Sequence, residues 1–319
     1  MKCKGDELIR FSQVTKKFGS QEALQNLSFC LCAGRSLAIL GPNGAGKTTI
    51  IRILLGVLEP SYGNLMVFGQ PISTSAFASK KKIGAVIEEQ TFFLDMSAWD
   101  YLSLFGELYE VKDSDSRALS LLKYMELYDA RNKKLKEYST GMKKKLNIIQ
   151  SVLHRPEILI LDEPFSGLDP LGISLTIDLL MSLKATGTTL IISSHILSEI
   201  DGLVDDLLLL NNGIVKAYGS KEELWKNLGG NCLMELMLLK ENPEGIEALE
   251  KLPEVVSRTE IGKLHYVFFI NGDEFIRNKI CKAVFDNTIM ASHISFSTPS
   301  VKMVYEKIMG STVQSGEAI

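Results

Sequence analysis

Gly41-Pro-Asn-Gly-Ala-Gly-Lys-Thr-Thr49 is the stretch that decides the fold of this chain. Residues 37–40 before it are all apolar and predict a short buried strand. Residues 48–57 after it carry apolar side chains at helical spacing and predict a helix. A glycine-rich turn lets the backbone approach a phosphate closely, and the helix N-terminus adds N–H donors and the positive end of its dipole. The stretch therefore predicts a phosphate-binding loop in an α/β fold.

The same loop fits the pattern G-x-x-x-x-G-K-[ST] of nucleotide-binding loops. In that pattern the Lys47 ammonium reaches the β- and γ-phosphates, and the Thr48 hydroxyl binds magnesium. An ordinary glycine-rich turn is the alternative, but it would match this pattern between a strand and a helix only rarely. We therefore expect ATP and Mg²⁺ as ligands. The residues expected to contact the nucleotide are Gly41, Pro42, Asn43, Gly44, Ala45, Gly46, Lys47, Thr48 and Thr49.

Two further apolar runs, 158–161 and 188–193, predict strands that end in polar residues. The first is followed by Asp162 and Glu163, and the second by His195 after one intervening serine. In phosphate-loop enzymes a strand-end Asp holds magnesium, and a neighbouring carboxylate can act as general base. We assign Asp162 to the metal and Glu163 to the attacking water, against the alternative of a solvated acidic turn. An isolated histidine is more often structural than catalytic. At the end of a parallel strand, however, His195 could lie beside the γ-phosphate.

Strands alternate with predicted helices over residues 8–225, which favours a parallel sheet covered by helices. A segment at about 83–155 is instead predominantly helical and predicts an insert in the α/β core. Residues 230–310 lack any glycine-rich loop or acid-ended strand and predict a small separate α+β domain.

Composition narrows the possible functions. With 35 basic and 38 acidic residues, the net charge of −3 gives no electrostatic case for binding nucleic acid. No apolar run approaches the 18 or more residues that a membrane span needs, and the N-terminus lacks the apolar stretch of a secretory signal. The five cysteines form no C-x-x-C pair, so we expect reduced thiols and a cytoplasmic location.

Together, these motifs resemble the nucleotide-binding subunits of ABC transporters over about residues 8–225. The resemblance implies a phosphate-loop (RecA-like) core with an antiparallel β-subdomain and a helical insert, and it implies ATP hydrolysis. It rests on these motifs in the family's order: Walker A at 41–49, the Tyr-Ser-Thr-Gly-Met signature at 138–142, Walker B at 158–163, the D-loop Ser-Gly-Leu-Asp at 166–169 and the H-loop at 194–195.

The resemblance gives roles to residues outside the phosphate loop. Phe18 stands at the aromatic position that stacks on adenine, although a core phenylalanine is the alternative. Ser139 and Gly141 of the signature are expected to contact ATP held by a partner subunit; an ordinary capped helix is the alternative. Thr140 and Met142 depart from the usual Gly and Gln, so we expect a working signature with altered packing.

Glu88 occupies the position where the family usually has the glutamine of its Q-loop. Gln90, two residues on, is the alternative equivalent. With Glu88 there, the chain is similar to the ATPases that export, or give immunity to, bacitracin and lantibiotic peptides. A charged carboxylate is a harder ligand than an amide, so Glu88 is expected to join the catalytic and magnesium-binding residues. The alternative effect is repulsion beside Asp162 and Glu163 when magnesium is absent.

The resemblance also implies partners. An integral-membrane permease would hold the chain at the inner face of the cell membrane, and a second ATPase subunit, identical or paralogous, would complete the ATP site. Trp99 in the helical insert is a candidate permease contact, with a buried core tryptophan as the alternative. The alternative function is a soluble ABC ATPase acting on nucleic acid or ribosomes. A GTPase is disfavoured because Asn132-Lys133 and Asn278-Lys279 lack the following Asp of an Asn-Lys-x-Asp motif.

Overall fold

The computed structural model describes residues 6–72, 77–87, 91–228, 232–272, 274–297 and 299–314. The chain divides into two compact units, the first ending at Tyr218 and the second beginning at Gly219. Within the residues just given, every helix is too short or too polar to cross a bilayer.

Strands and helices alternate along the first unit. In chain order they are β1 (Glu7–Phe18), β2 (Gln21–Cys32), β3 (Ser36–Leu40), α1 (Lys47–Leu54), β4 (Tyr62–Val67), β5 (Gln70–Pro71), α2 (Phe77–Lys80), β6 (Ile83–Val86), α3 (Ala98–Leu108), α4 (Ser114–Tyr124), α5 (Thr140–Val152), β7 (Ile158–Asp162), α6 (Pro170–Ala185), β8 (Thr189–Ser193), α7 (Leu197–Ile200), β9 (Asp206–Asn211) and β10 (Ile214–Ser220).

A six-stranded sheet in the order β10-β9-β3-β8-β7-β6 forms the centre of this unit. β3 pairs in parallel with β8 and β9, and β7 pairs in parallel with β6 and β8. Every residue of β3, β7 and β8 is buried, as expected for strands covered on both faces. Because these strands are parallel, the phosphate loop, the acids and the histidine that follow them meet at one edge of the sheet.

A second, antiparallel sheet has the order β2-β1-β4-β5. Phe11 and Phe29 stack across β1 and β2 with ring centroids 4.5 Å apart, inside the same hydrophobic core as α1. The two sheets confirm the predicted phosphate-loop core with an antiparallel subdomain. Cys32, at the end of β2, is disulfide-bonded, contrary to the expectation of reduced thiols, because pairing depends on which thiols the fold brings together.

The helices α3, α4 and α5 lie where the insert was predicted, but two boundaries differ. Residues 83–86, predicted as the start of the insert, form β6, which pairs in parallel with β7 in the core sheet. α1 ends at Leu54 rather than at 57, because Gly56 adopts a left-handed backbone with φ 61°.

The second unit continues with α8 (Lys221–Asn227), β11 (Cys232–Leu238), α9 (Pro243–Glu250), β12 (Val255–Gly262), β13 (His265–Ile270), α10 (Glu274–Asp286), β14 (Ala291–Ser297) and α11 (Val301–Gln314). Its antiparallel sheet has the order β12-β13-β11-β14. Alternate residues of β11, including Met234 and Leu236, share a core with Ile246 of α9 and Ile280 of α10. This mixture of helices and an antiparallel sheet agrees with the predicted α+β character.

Candidate nucleotide-binding site

The phosphate loop takes a backbone conformation that only glycine adopts easily at two of its positions. Gly44 has φ 78° and Gly46 has φ 105°. A Cβ atom on Gly41 would come within 2.4 Å of the backbone oxygen of Leu210. The glycines of the motif are therefore required by the fold of the loop itself.

The start of α1 presents donors to the loop. Gly46 is the N-cap residue and offers no side-chain acceptor, and the first turn of α1 carries no acidic residue. Its first N–H groups and its dipole therefore favour an anion. The Lys47 ammonium lies over the same loop, with Nζ 2.7 Å from the Gly41 carbonyl oxygen and 3.1 Å from that of Pro42.

A cavity of about 960 Å³ opens above this loop. It brings the predicted metal ligand Asp162 and the predicted catalytic residues Glu163 and His195 together with most of the loop. The loop residues that line it are Asn43, Gly44, Ala45, Gly46, Lys47, Thr48 and Thr49. Gly41 and Pro42 do not line the cavity, and their carbonyl oxygens accept hydrogen bonds from the Lys47 ammonium.

The two acids occupy different environments. Asp162 is the buried last residue of β7, with only 3% of its surface exposed. Glu163 follows it with φ 48°, a left-handed conformation that costs a non-glycine residue about 1–2 kcal/mol. Oε2 of Glu163 lies 2.8 Å from Nδ1 of His195. The fold thus imposes an unfavourable backbone on Glu163 and holds its carboxylate beside the histidine.

The donors around the cavity fit a magnesium ion. Mg²⁺ takes hard oxygen ligands and is commonly bound by one or two carboxylates together with substrate phosphates. Asp162 offers a carboxylate and Thr48 a hydroxyl on the same cavity. The third predicted ligand, Glu88, and its alternative Gln90 lie outside the described residues.

Phe18 is at the end of β1 and is 50% exposed, so the alternative of a core phenylalanine is wrong. The Lys16 ammonium lies 5.2 Å from the centroid of its ring. Phe18 does not line the cavity, but Gln21 and Glu22 of the same hairpin do. The ring is thus exposed on the hairpin that contributes two residues to the cavity.

Ser139 and Gly141 do not line the cavity that contains their own phosphate loop. Ser139 caps α5 by accepting a hydrogen bond from the N–H of Met142, at 3.2 Å. A Cβ atom on Gly141 would come within 3.0 Å of the backbone oxygen of Gly167 in the D-loop. The unusual Thr140 and Met142 therefore leave the cap and this close approach intact.

Sequence reasoning missed several residues that line the cavity. Most of them lie on distant segments that two backbone hydrogen bonds hold beside the phosphate loop. The Gly213 N–H donates to the Ala45 carbonyl, and the Gln25 N–H donates to the Gly213 carbonyl. These two bonds bring the β1–β2 hairpin and the β9–β10 turn beside the phosphate loop, a long-range arrangement without a local sequence signal. The missed residues are Gln21, Glu22, Ala23, Gln25 and Asn212, whereas Ser166, which also lines the cavity, belongs to the D-loop motif found in the sequence.

The phosphate loop, the strand-end acids and the histidine define a nucleotide-binding cassette of the phosphate-loop class. Residues 24–166 match the family model described as ABC transporter. The linearmycin resistance ATP-binding protein LnrL of Bacillus subtilis (strain 168) is 32% identical over 78% of this chain and 80% of its own length. The chain belongs to the ATP-binding proteins of ABC transporters, and it is an ATPase.

Further similarities agree with that family. The lantibiotic transport ATP-binding protein SrtF of Streptococcus pyogenes is 34% identical over 72% of this chain and 99% of its own length. A solved structure titled ATP binding subunit of ABC transporter covers 70% of this chain and 93% of its own, with a TM-score of 0.66 and 28% identity. The predicted family, nucleotide ligand and ATPase activity are confirmed.

Proposed function

We propose that this chain binds ATP with magnesium and drives a separate membrane permease that exports a drug or an antimicrobial peptide. The observation that carries the proposal is the convergence of Lys47, Thr48, Asp162, Glu163 and His195 on one cavity. A nucleotide triphosphate placed there would meet the loop, the metal ligands and the general base together.

The residues divide the chemistry between them. The N–H groups of the loop and the Lys47 ammonium bind and orient the phosphates. The Glu163 carboxylate accepts a proton from the attacking water, and His195 keeps that carboxylate in place. Thr48 and Asp162 would hold magnesium, which would supply positive charge to offset that of the phosphates. We assign Glu88 to the same cluster on the strength of its position in the sequence.

A second copy or a paralogue would complete the site. Ser139 and Gly141 present a capped helix N-terminus, which favours an anion, yet neither residue lines its own cavity. This separation supports a composite site, in which the signature of one subunit covers the ATP held on the loop of another. Hydrolysis would then depend on the pairing of two cassettes.

An apolar strip beside α3 supports a protein partner. We use this name for Phe93, Leu94, Leu104 and Leu108, of which Phe93 is 57% and Leu108 53% exposed. Leu104 and Leu108 are one helical turn apart, and Phe93 contacts Tyr101 of the same helix with ring centroids 6.3 Å apart. Exposed apolar patches of this kind mark interaction surfaces. We propose that the α3 apolar strip meets the permease and so holds the chain at the inner face of the cell membrane. Trp99, half-buried near the start of α3, stays a separate candidate contact.

The substrate class follows from the relatives, whose names specify linearmycin resistance and lantibiotic transport. The alternative, action on nucleic acid or ribosomes, receives no support from the net charge of −3.

Co-purification from the native host tests the proposal. The tagged chain is expected to bring down an integral-membrane protein, whereas ribosomes or nucleic acid would support the alternative. A Phe93→Ser/Leu104→Ser double variant is expected to lose the membrane protein and keep ATP binding. Leu239→Ser is the matched control, because Leu239 is 65% exposed in the second unit. If Leu239→Ser loses the membrane protein to the same extent, the α3 apolar strip is not the specific contact.

A further inference from the structure

Ser193, the last residue of β8, contacts both acids at the end of β7. Its hydroxyl donates a hydrogen bond to Oδ1 of Asp162. The N–H of Glu163 points back at Ser193, with 3.3 Å to the hydroxyl oxygen and 3.1 Å to the backbone carbonyl oxygen. One serine therefore holds the carboxylate of the first acid and the backbone of the second.

The parallel pairing of β7 and β8 fixes this arrangement. The register places Ser193 directly beside Asp162. Ser193 is fully buried and Asp162 nearly so, so bulk water does not compete for the bond. An apolar side chain at position 193 would leave Oδ1 of Asp162 without its hydroxyl donor, which is costly for a buried polar group. With Oδ1 bound to Ser193, the orientation of the second carboxylate oxygen is set as well.

Glu163 is held at both ends by residues from the end of β8. Its left-handed backbone, with φ 48°, donates its N–H to Ser193. Its carboxylate oxygen Oε2 lies 2.8 Å from Nδ1 of His195. Ser193 thus fixes where the Glu163 side chain begins, and His195 fixes where it ends.

We infer that Ser193 is a positioning residue of the hydrolytic site, orienting Asp162 toward magnesium and Glu163 toward the attacking water. The inference rests on the proposed magnesium-dependent site. Ser193 does not itself line the cavity, so it acts only through the two acids. Partners that orient metal ligands in this way typically change metal affinity or activity by about 10- to 100-fold when they are removed.

The test separates the metal-dependent part of nucleotide binding from the rest. In a Glu163→Gln background, which prevents turnover, the Kd for ATP is measured for the full chain in Mg²⁺ and in EDTA. The added change Ser193→Ala is expected to reduce the affinity gained from Mg²⁺ by about tenfold and to leave the Kd in EDTA within about twofold. In the chain with Glu163 intact, Ser193→Ala is expected to lower kcat by a similar factor.

Two further variants control for folding and for the hydroxyl. Ser193→Thr keeps a hydroxyl on the strand and is expected to restore most of the magnesium effect. Ser36→Ala removes another fully buried serine, bonded to Asp205 and Leu203, and is expected to change melting temperature without changing the magnesium effect. If Ser193→Ala does not fold, Ser193→Cys replaces it, with similar volume and a weak donor, and the same loss is expected.

The outcomes distinguish failure of the Ser193 inference from failure of the proposed magnesium site. If Ser193→Ala folds and retains both the full magnesium effect and wild-type kcat, the inference is overturned. If the Glu163→Gln chain with Ser193 intact gains no affinity from Mg²⁺, the proposed magnesium site fails, and the inference fails with it.

Discussion

The Nδ1 atom of His195 lies 2.8 Å from Oε2 of Glu163, so the side chains that follow β8 and β7 form one pair. The histidine is the outer member, since 66% of its side chain is exposed against 14% for the glutamate. The His195 N–H lies 3.4 Å from the same carboxylate oxygen. The Glu163 carboxylate, our proposed general base, is therefore oriented by a residue that follows the neighbouring strand, so mutation can separate the contributions of the two residues.

Replacing Glu163 by glutamine is expected to keep ATP binding and to lower hydrolysis by about 10²- to 10⁴-fold, because the amide cannot accept the proton of the attacking water. Steady-state ATPase and ATP titration measure the two effects. Glu157→Gln is the matched control, because Glu157 lies just before β7, at its opposite end, and pairs with Lys82 at the surface. Unchanged turnover in Glu163→Gln would remove Glu163 as the base.

Replacing Lys47 by alanine is expected to weaken ATP binding about 10- to 100-fold, because charge-assisted hydrogen bonds contribute about 1.5–3 kcal/mol. The structure adds a second reason, since the Lys47 ammonium also binds the Gly41 and Pro42 carbonyls of the loop. Titration with a fluorescent ATP analogue measures the change. The exposed Lys133→Ala should bind like the wild type, and equal affinities in the two variants would contradict the assignment.

Replacing His195 by alanine is expected to lower kcat by about 10- to 100-fold while ATP affinity stays within about threefold. The carboxylate of Glu163 would lose its Nδ1 partner, while the Glu163 backbone N–H would keep its contacts with Ser193. Turnover and binding are measured on the same preparation, beside His293→Ala in the second unit as control. A loss confined to ATP affinity would mean that His195 serves binding rather than hydrolysis.

His154 is expected to make the folded state sensitive to acid. Burial lowers the pKa of His154 from its ordinary value of 6.5 to about 4. The unfolded chain therefore binds more protons than the folded chain between these values, and stability falls as pH drops from about 6.5 toward 4. The loss from this group is on the order of 3–4 kcal/mol when it is complete, given about 1.4 kcal/mol per pH unit.

Chemical unfolding at pH 7.5 and pH 5 tests this in the wild type and in His154→Phe. Phenylalanine keeps a ring against Tyr109, whose centroid lies 4.0 Å from that of His154. The variant is expected to lose part of the acid sensitivity, whereas His293→Phe should keep all of it because His293 is exposed. Identical pH dependence in the wild type and His154→Phe would show that other groups cause the effect.

The sequence by itself determined the features that are local in the chain. The phosphate loop could be predicted because its strand, glycines, Lys47 and helix are consecutive, and its backbone demands are met by residue type. Asp162, Glu163 and His195 could be predicted because each lies at or just beyond the end of an apolar strand, and parallel strands end at one edge of a sheet. The end of α1 at Leu54 could not be predicted in this way, because the end of a helix depends on the backbone conformation of single residues.

Only the tertiary structure decided which distant residues touch. The bond from Ser193 to Asp162 depends on the register of β7 and β8, which no single stretch of sequence encodes. The cavity wall formed by the β1–β2 hairpin depends on hydrogen bonds that link Gln25, Gly213 and Ala45. Likewise, the left-handed backbone of Glu163 is imposed by its partners, because an isolated glutamate would avoid it. Local sequence therefore identified the groups to which we assign catalysis, and long-range packing set the directions in which they point.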